Sequence, residues 1–123
     1  MNTLNTKPSM TQSLTVDQKE QLRVRVYDWT KELVRRLQED YNTKYPTHDR
    51  YNFVIKEGRK YYKIDTEGQG VHAFVDKNTG EVYKPASYST PAKIVRYDLR
   101  IIEDRQRCFD NCDWCGSYLY LRG

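Results

Sequence analysis

Residues 71–99, VHAFVDKNTGEVYKPASYSTPAKIVRYDL, decide the fold of this chain. The side chains of residues 71–76 alternate between two faces, and this period of two predicts a β-strand. The pattern breaks at residues 76–80, DKNTG, whose Asp, Asn and Gly favour a tight turn, and residues 81–84 then run back. The stretch therefore predicts a β-hairpin. Its first strand has Val71, Ala73 and Val75 on one face and His72, Phe74 and Asp76 on the other.

Two prolines follow this hairpin in the sequence. Pro85 and Pro91 lack a backbone donor, which disfavours a regular strand and predicts an ordered loop that crosses the sheet. Residues 93–100, KIVRYDLR, alternate again and predict a short strand. Residues 101–111 predict a short helix, and residues 118–121, YLYL, predict a last strand that ties down the end of the chain.

A second hairpin is predicted before the first one. Residues 51–56, YNFVIK, and residues 60–65, KYYKID, are rich in strand-forming side chains. They flank the short run Glu57-Gly58-Arg59, which suits a hairpin turn. The two hairpins together predict four antiparallel strands.

A long amphipathic helix is predicted near the start of the chain. Thr15 and Gln18 have the spacing of a capping box, and Pro46 prevents the helix from continuing into the first strand. An apolar stripe at steps of three and four residues runs between these points: Leu22, Val26, Trp29, Leu33, Leu37 and Tyr41.

These patterns predict an α+β protein, with one long N-terminal helix packed on a small antiparallel sheet of four to five strands. Residues 1–14 are expected to be a flexible tail, and residues 15–123 a single domain. Within it we expect the helix at about 15–42, the strands at about 51–84, and a loop and C-terminal segment at 85–123.

Composition narrows the possible classes of function. The chain is 37% hydrophobic and 13% aromatic, so its core is expected to depend on aromatic rings, which bury about 150–250 Å² each. No stretch reaches the roughly 18 apolar residues of a membrane span, and no leader sequence is recognisable, which favours an intracellular soluble protein with no membrane partner. The net charge of +4 permits nucleic-acid binding without requiring it.

Three cysteines near the end of the chain, Cys108, Cys112 and Cys115, form the sharpest motif. Their spacing matches the iron–sulfur signature of radical S-adenosylmethionine enzymes, but that signature lies early in a large α/β barrel. A zinc site would need a fourth ligand, for which His48 and His72 are available. The favoured interpretation is reduced thiols on one side of a short helix, with no cofactor.

Catalytic motifs are not recognisable in the sequence. His72 has no obvious partner, and neither a Gly-x-Ser-x-Gly elbow nor a Gly-rich phosphate loop occurs. The chain is therefore expected not to be an enzyme.

Aromatic and basic residues interleave along the predicted strands and the loop. Tyr rings can stack on bases while Lys and Arg neutralise phosphates, and Tyr and Arg are also enriched at protein interfaces. This pattern predicts a binding surface made of Tyr61, Lys63, Tyr83, Lys84, Tyr88, Lys93, Arg96 and Tyr97.

Residues 71–87, 91–93 and 95–97 resemble a family of small, uncharacterised proteins of tailed bacteriophages that infect marine bacteria and cyanobacteria. The similarity continues through residues 112–114 and 116–120. Tyr88 stands where that family commonly has Trp, and Cys108 and Cys115 do not match family features. The resemblance implies a phage origin and a location in the host cell cytoplasm or the virion, and it supplies no catalytic residues.

The leading hypothesis is a non-enzymatic phage accessory protein that binds a host or phage protein. One alternative is binding of single-stranded nucleic acid or nucleotides on the Tyr-bearing sheet face. Another is a structural virion component that assembles as an oligomer.

Overall fold

The structure of this chain, a computed structural model, describes residues 14–47 and 50–120. The predicted tail at residues 1–14 lies outside these ranges except for Leu14. The α+β class is confirmed by the order of the elements: α1 (Val16–Lys44), β1 (Val54–Glu57), β2 (Tyr61–Asp65), β3 (Val71–Asp76), β4 (Glu81–Tyr83), β5 (Tyr97–Asp98), α2 (Ile102–Asn111) and a 3₁₀ helix (Ser117–Leu119).

Helix α1 begins at the predicted capping box. The Thr15 hydroxyl accepts a hydrogen bond from the Gln18 backbone N–H, and the Gln18 side chain accepts one from the Thr15 N–H. The helix ends at Lys44 rather than residue 42, just before Pro46. Its buried residues confirm the predicted stripe and add Thr30 to it: Val26, Thr30, Leu33, Leu37 and Tyr41.

The five strands form an antiparallel meander in the order β1-β2-β3-β4-β5, which confirms both predicted hairpins. The strand predicted at residues 93–100 is reduced to Tyr97–Asp98. Tyr62, Val75 and Val82 are neighbours across the strands and belong to the same hydrophobic cluster as the buried residues of α1. The helix therefore covers this face of the sheet.

The predicted alternation in β3 is wrong at His72. The ladder pairs Ile64 with Ala73 and Asp65 with Val71, so His72 is an extra residue in a bulge. Its ring centroid lies 5.4 Å from that of Phe53 in the core, and it does not share a face with Phe74.

The predicted loop after β4 does cross the sheet. A bridge between Pro85 and Pro91 closes its base, and the Tyr88 hydroxyl reaches over β3 to donate a hydrogen bond to Asp65 in β2. The face opposite α1 is thus partly covered. Residues 72–76 are all buried, whereas simple alternation would leave one face open to solvent.

The C-terminal segment differs in part from its prediction. Helix α2 occupies residues 102–111, close to the predicted 101–111. The strand predicted at residues 118–121 is wrong where the structure describes it, because Ser117–Leu119 is a 3₁₀ helix that follows Gly116 at φ +83°. Tyr118 and Leu119 are buried in the core. None of the described helices is long and apolar enough to cross a membrane.

Candidate functional site

A cleft of about 380 Å³ opens where the β2–β3 connection, the start of the loop after β4 and the C-terminal segment meet. We call it the aromatic cleft. Its lining residues are Tyr51, Thr66, Gln69, Val71, His72, Lys84, Pro85, Trp114, Cys115, Gly116, Leu119 and Tyr120.

Trp114 is held firmly in the wall of the aromatic cleft. Its ring centroid lies 5.1 Å from that of Tyr51 and 5.4 Å from that of Tyr41, in arrangements typical of stabilising aromatic pairs. Its backbone N–H donates a hydrogen bond to Asp40 of α1 over 2.9 Å. Across the cleft, the Lys84 ammonium lies 4.9 Å from the Tyr120 ring centroid.

His72 lies at the floor of the aromatic cleft. Its Nε2 atom is 2.8 Å from the Tyr118 hydroxyl, and burial lowers the pKa of the imidazole to about 4, so the ring is neutral at pH 7. Among the described residues, Nδ1 has no hydrogen-bond partner. Gly116 lies beside the Cε1–Nδ1 edge of this ring, since a Cβ atom at Gly116 would lie 3.6 Å from His72 Cε1 and 3.9 Å from Nδ1.

A second surface lies on the side of the sheet opposite α1. We call it the basic–aromatic face and define it by six residues: Lys56, Arg59, Lys60, Tyr61, Lys63 and Tyr88. A cleft of about 320 Å³ runs among the first five of these side chains. The hairpin β1–β2 supplies those five, because its register places Lys56 opposite Lys63.

The basic–aromatic face carries an excess of positive charge. Glu57 forms an ion pair with Lys77 at 2.6 Å and is thereby already neutralised. Arg59, Lys60 and Lys63 have no carboxylate partner within the described ranges. The Lys63 ammonium instead lies 3.8 Å from the Tyr88 ring centroid, a cation–π contact.

Asp65 anchors the edge of this face. Its side chain is 2% exposed and accepts hydrogen bonds from Lys56 and from the Tyr88 hydroxyl, each over 2.9 Å. Burial by itself raises the pKa of Asp65, but hydrogen bonds from Lys56, Tyr88 and the Thr66 backbone outweigh burial and leave the pKa below its usual value. The ionised carboxylate therefore holds the loop across the sheet.

Comparison with known proteins adds one match. A family model covers residues 11–121 of the chain. The chain belongs to the family of unknown function DUF7717. No curated protein and no solved structure matches it.

In this DUF7717 member the predicted binding residues fall into separate places. Tyr61, Lys63 and Tyr88 meet on the basic–aromatic face, Lys84 lines the aromatic cleft, and Lys93 is exposed on the loop.

Tyr83 packs against its neighbours. Its ring centroid lies 6.1 Å from that of Tyr61, and its hydroxyl donates a hydrogen bond to Glu81. Burial and the Glu81 carboxylate raise the pKa of Tyr83 to about 12. Tyr83 therefore supports Tyr61 from the side.

Tyr97 and Arg96 lie apart from the basic–aromatic face, in a second cleft of about 380 Å³ that Arg107 and Tyr120 also line. Tyr97 is 9% exposed, and its hydroxyl donates a hydrogen bond to the Tyr118 carbonyl. The Arg96 guanidinium donates hydrogen bonds to the carbonyls of Leu119 and Ile94. Both side chains hold the C-terminal segment against β5. The sequence could not predict this, because strand alternation alone does not tell which tyrosine faces the core.

The three cysteines of this DUF7717 member occupy different environments. Cys108 is buried in α2, Cys112 is half-buried at its end and Cys115 is exposed, and all three are free. Burial raises the pKa of the Cys108 thiol well above its usual value and that of Cys112 to about 11. Within residues 14–47 and 50–120, no group of three or more His, Cys, Asp or Glu side chains could hold a metal ion. His48, named above as a possible zinc ligand, lies outside the described residues.

The predicted binding surface omitted Lys56, Arg59 and Lys60 of the basic–aromatic face and Trp114 of the aromatic cleft. The signal for Lys56 was available, because a hairpin turning at residues 57–59 places Lys56 and Lys63 side by side. No local signal identifies Trp114, since its position depends on contacts with Tyr51 and α1.

Proposed function

We propose that this chain is a non-enzymatic bacteriophage accessory protein that binds an acidic segment of a host or phage protein on the basic–aromatic face. The observation that carries the proposal is the uncompensated charge of Arg59, Lys60 and Lys63 around one cleft. Complementary charge speeds association and selects partners of opposite sign. The exposed Tyr88 ring, with Lys63 on it, adds the aromatic contact that protein interfaces favour.

The packing of the rings favours a protein over a single-stranded nucleic acid. Nucleic-acid platforms offer several open ring faces on which successive bases stack. Here the Tyr61 ring meets Phe74 edge-on at 5.7 Å and Tyr83 edge-on at 6.1 Å, and Phe74 is 2% exposed. Tyr88 is the residue of the basic–aromatic face with an exposed ring.

The states of the reactive groups support a binding role. His72 is neutral and its Nε2 atom is paired with Tyr118, while burial raises the pKa of the Cys108 thiol and so disfavours the nucleophilic thiolate. The resemblance of residues 71–87 to phage proteins supports the phage origin and a location in the host cytoplasm or the virion.

The charge requirement is tested with a matched pair of double variants. R59E/K60E reverses two charges on the basic–aromatic face, and K19E/R25E reverses two exposed charges on α1, so both proteins have the same net charge. Binding is measured by fluorescence anisotropy with a labelled oligoglutamate peptide and with an oligothymidylate of equal charge. Affinity purification from infected cells, with each variant as bait, identifies the natural partner.

We expect the wild-type protein to prefer the peptide. R59E/K60E should weaken binding by about tenfold or more, equivalent to about 1.4 kcal/mol, while K19E/R25E changes it little. An equal loss in both variants would show that only net charge matters and contradict the proposal. Tighter binding of the oligothymidylate would favour the nucleic-acid alternative, and recovery of the protein in purified particles as an oligomer would favour the virion alternative.

A further inference from the structure

We propose that the aromatic cleft binds a small anion built on a planar aromatic ring, as in a nucleoside monophosphate or an aromatic carboxylate. This inference goes beyond the proposed function, because the cleft and the basic–aromatic face share no residue. Its volume of about 380 Å³ falls within the range of about 300–1,000 Å³ that small-molecule sites occupy.

Charge in the aromatic cleft selects an anion. Lys84 is the charged residue of the lining, and it has no carboxylate partner in the described part of the chain. The carboxylate of Asp113, which acts electrostatically on His72, accepts hydrogen bonds from Ser117 and does not line the cleft. An anionic group on the ligand would therefore meet a Lys84 ammonium that is not paired with a carboxylate.

The walls of the aromatic cleft select a planar ring. The Trp114 and Tyr51 rings pack together on one wall, and the Lys84 ammonium lies against the Tyr120 ring. Because Trp114 is held by its ring contacts and by the hydrogen bond to Asp40, little ordering is needed when a ligand binds. Val71, Pro85 and Leu119 supply the remaining apolar lining.

The floor of the aromatic cleft offers one unused polar atom. His72 is 8% exposed, and its Nε2 atom is occupied by Tyr118. When the Tyr118 hydroxyl donates to Nε2, the proton of the neutral ring lies on Nδ1, on the edge of the ring beside Gly116. Nδ1–H can then donate to a ring nitrogen or a carbonyl oxygen of the ligand.

Calorimetric titration of the full chain tests the inference with four probes: adenosine monophosphate, adenosine, indole-3-acetate and inorganic phosphate. We expect adenosine to bind about tenfold more weakly than its monophosphate or indole-3-acetate, since it lacks the charge that Lys84 recognises. Phosphate alone should bind weakly, since it lacks the ring. The tighter-binding of the two aromatic anions identifies the ligand class that the cleft prefers.

Matched lysine variants locate the site. Lys84→Met should weaken binding of the aromatic anions by about tenfold, whereas Lys93→Met, an exposed lysine of the same loop, should leave binding nearly unchanged. In the wild-type protein, the ligand should shift the NMR signals of the Trp114 indole and the His72 ring, a readout that does not depend on any variant folding.

Three results would overturn the inference: binding of adenosine as tight as that of both aromatic anions, no effect of Lys84→Met, or no NMR shift at Trp114. Titration of R59E/K60E separates this site from the basic–aromatic face. If R59E/K60E still binds the aromatic anions, the ligand lies in the aromatic cleft. If this variant loses binding, the ligand lies on the basic–aromatic face. If the oligoglutamate peptide does not bind to the basic–aromatic face, the results expected for the aromatic cleft stay the same.

Discussion

The Nε2 atom of His72 lies 2.8 Å from the phenolic oxygen of Tyr118, and this hydrogen bond joins β3 to a residue 46 positions further along the chain. Both groups are neutral at pH 7, because burial lowers the pKa of His72 and raises that of Tyr118. The pair closes the core on the side of the aromatic cleft.

Removing the hydroxyl of this pair should destabilise the fold. In Tyr118→Phe the His72 Nε2 atom keeps its burial but loses its partner, which costs about 1–3 kcal/mol. Urea denaturation followed by circular dichroism measures the free energy of unfolding. Tyr27→Phe is the control, because the described residues offer the Tyr27 hydroxyl no hydrogen bond. Equal effects of the two variants would contradict the role of the hydrogen bond.

The stability of the folded protein should decrease as the pH is lowered from 6.5 to about 4. The unfolded His72 takes up a proton near pH 6.5, whereas the folded ring stays neutral down to about pH 4, so acid favours the unfolded state in this window. The full difference between the folded and unfolded pKa values of His72 lowers the free energy of unfolding by about 3 kcal/mol. Hydrogen bonds from Arg35 and Arg36 lower the pKa of Glu32 to about 2. The stability that ionised Glu32 gives to the folded state is therefore lost only below about pH 4.5.

The pH dependence is assigned by replacing each histidine in turn. His72→Asn should flatten the loss of stability between pH 6.5 and 4.5, as measured by thermal unfolding. His48→Asn serves as the control, because His48 is the other histidine of the chain. A slope that vanishes in His48→Asn and persists in His72→Asn would refute the assignment.

The loop after β4 should loosen when its bond to Asp65 is removed. Tyr88→Phe keeps the ring under Lys63 but loses the hydroxyl that donates to the carboxylate. We expect the free energy of unfolding to fall by about 1 kcal/mol and limited proteolysis to cut the loop faster. Tyr120→Phe, whose ring is similarly exposed, is the control. Unchanged proteolysis of Tyr88→Phe would show that the loop is held by other contacts.

The cysteines should react with iodoacetamide in a fixed order. Cys115 is exposed and should be labelled first, and Cys112 should follow slowly because its pKa is raised to about 11. Cys108 is buried and should react only when the protein is unfolded. Peptide mapping by mass spectrometry measures the order, and early labelling of Cys108 in the native protein would contradict its burial in α2.

The sequence predicted the parts of the fold that depend on local pattern. The stripe from Leu22 to Tyr41 and the turn chemistry of residues 76–80 each specify one element, and both elements formed as expected. The bulge at His72 could not be predicted, because the alternation of residues 71–76 is unbroken and the bulge is visible only in the pairing with β2. Residues 118–121 have the alternation of a strand, but Gly116 at positive φ turns the chain and Tyr118 packs inward.

The candidate surfaces were less predictable than the fold. Lys63 and Tyr88 were found because aromatic and basic residues interleave, yet the same pattern included Tyr97, which is buried. A tyrosine in a strand serves a core or a surface equally well, and only the position of the C-terminal segment decides between them. The aromatic cleft joins Tyr51 to Trp114 across the chain, so no local spacing reveals it.

Late arrival of Tyr118 and Leu119 in the core has a consequence for biosynthesis. As the chain emerges from the ribosome, α1 and the meander can form in order, since each strand pairs with the one before it. Their shared interior stays open until residue 119 has left the exit tunnel, because both side chains belong to it. A nascent chain stalled earlier would present that apolar surface to chaperones, and closure of the interior therefore waits for the C-terminal segment.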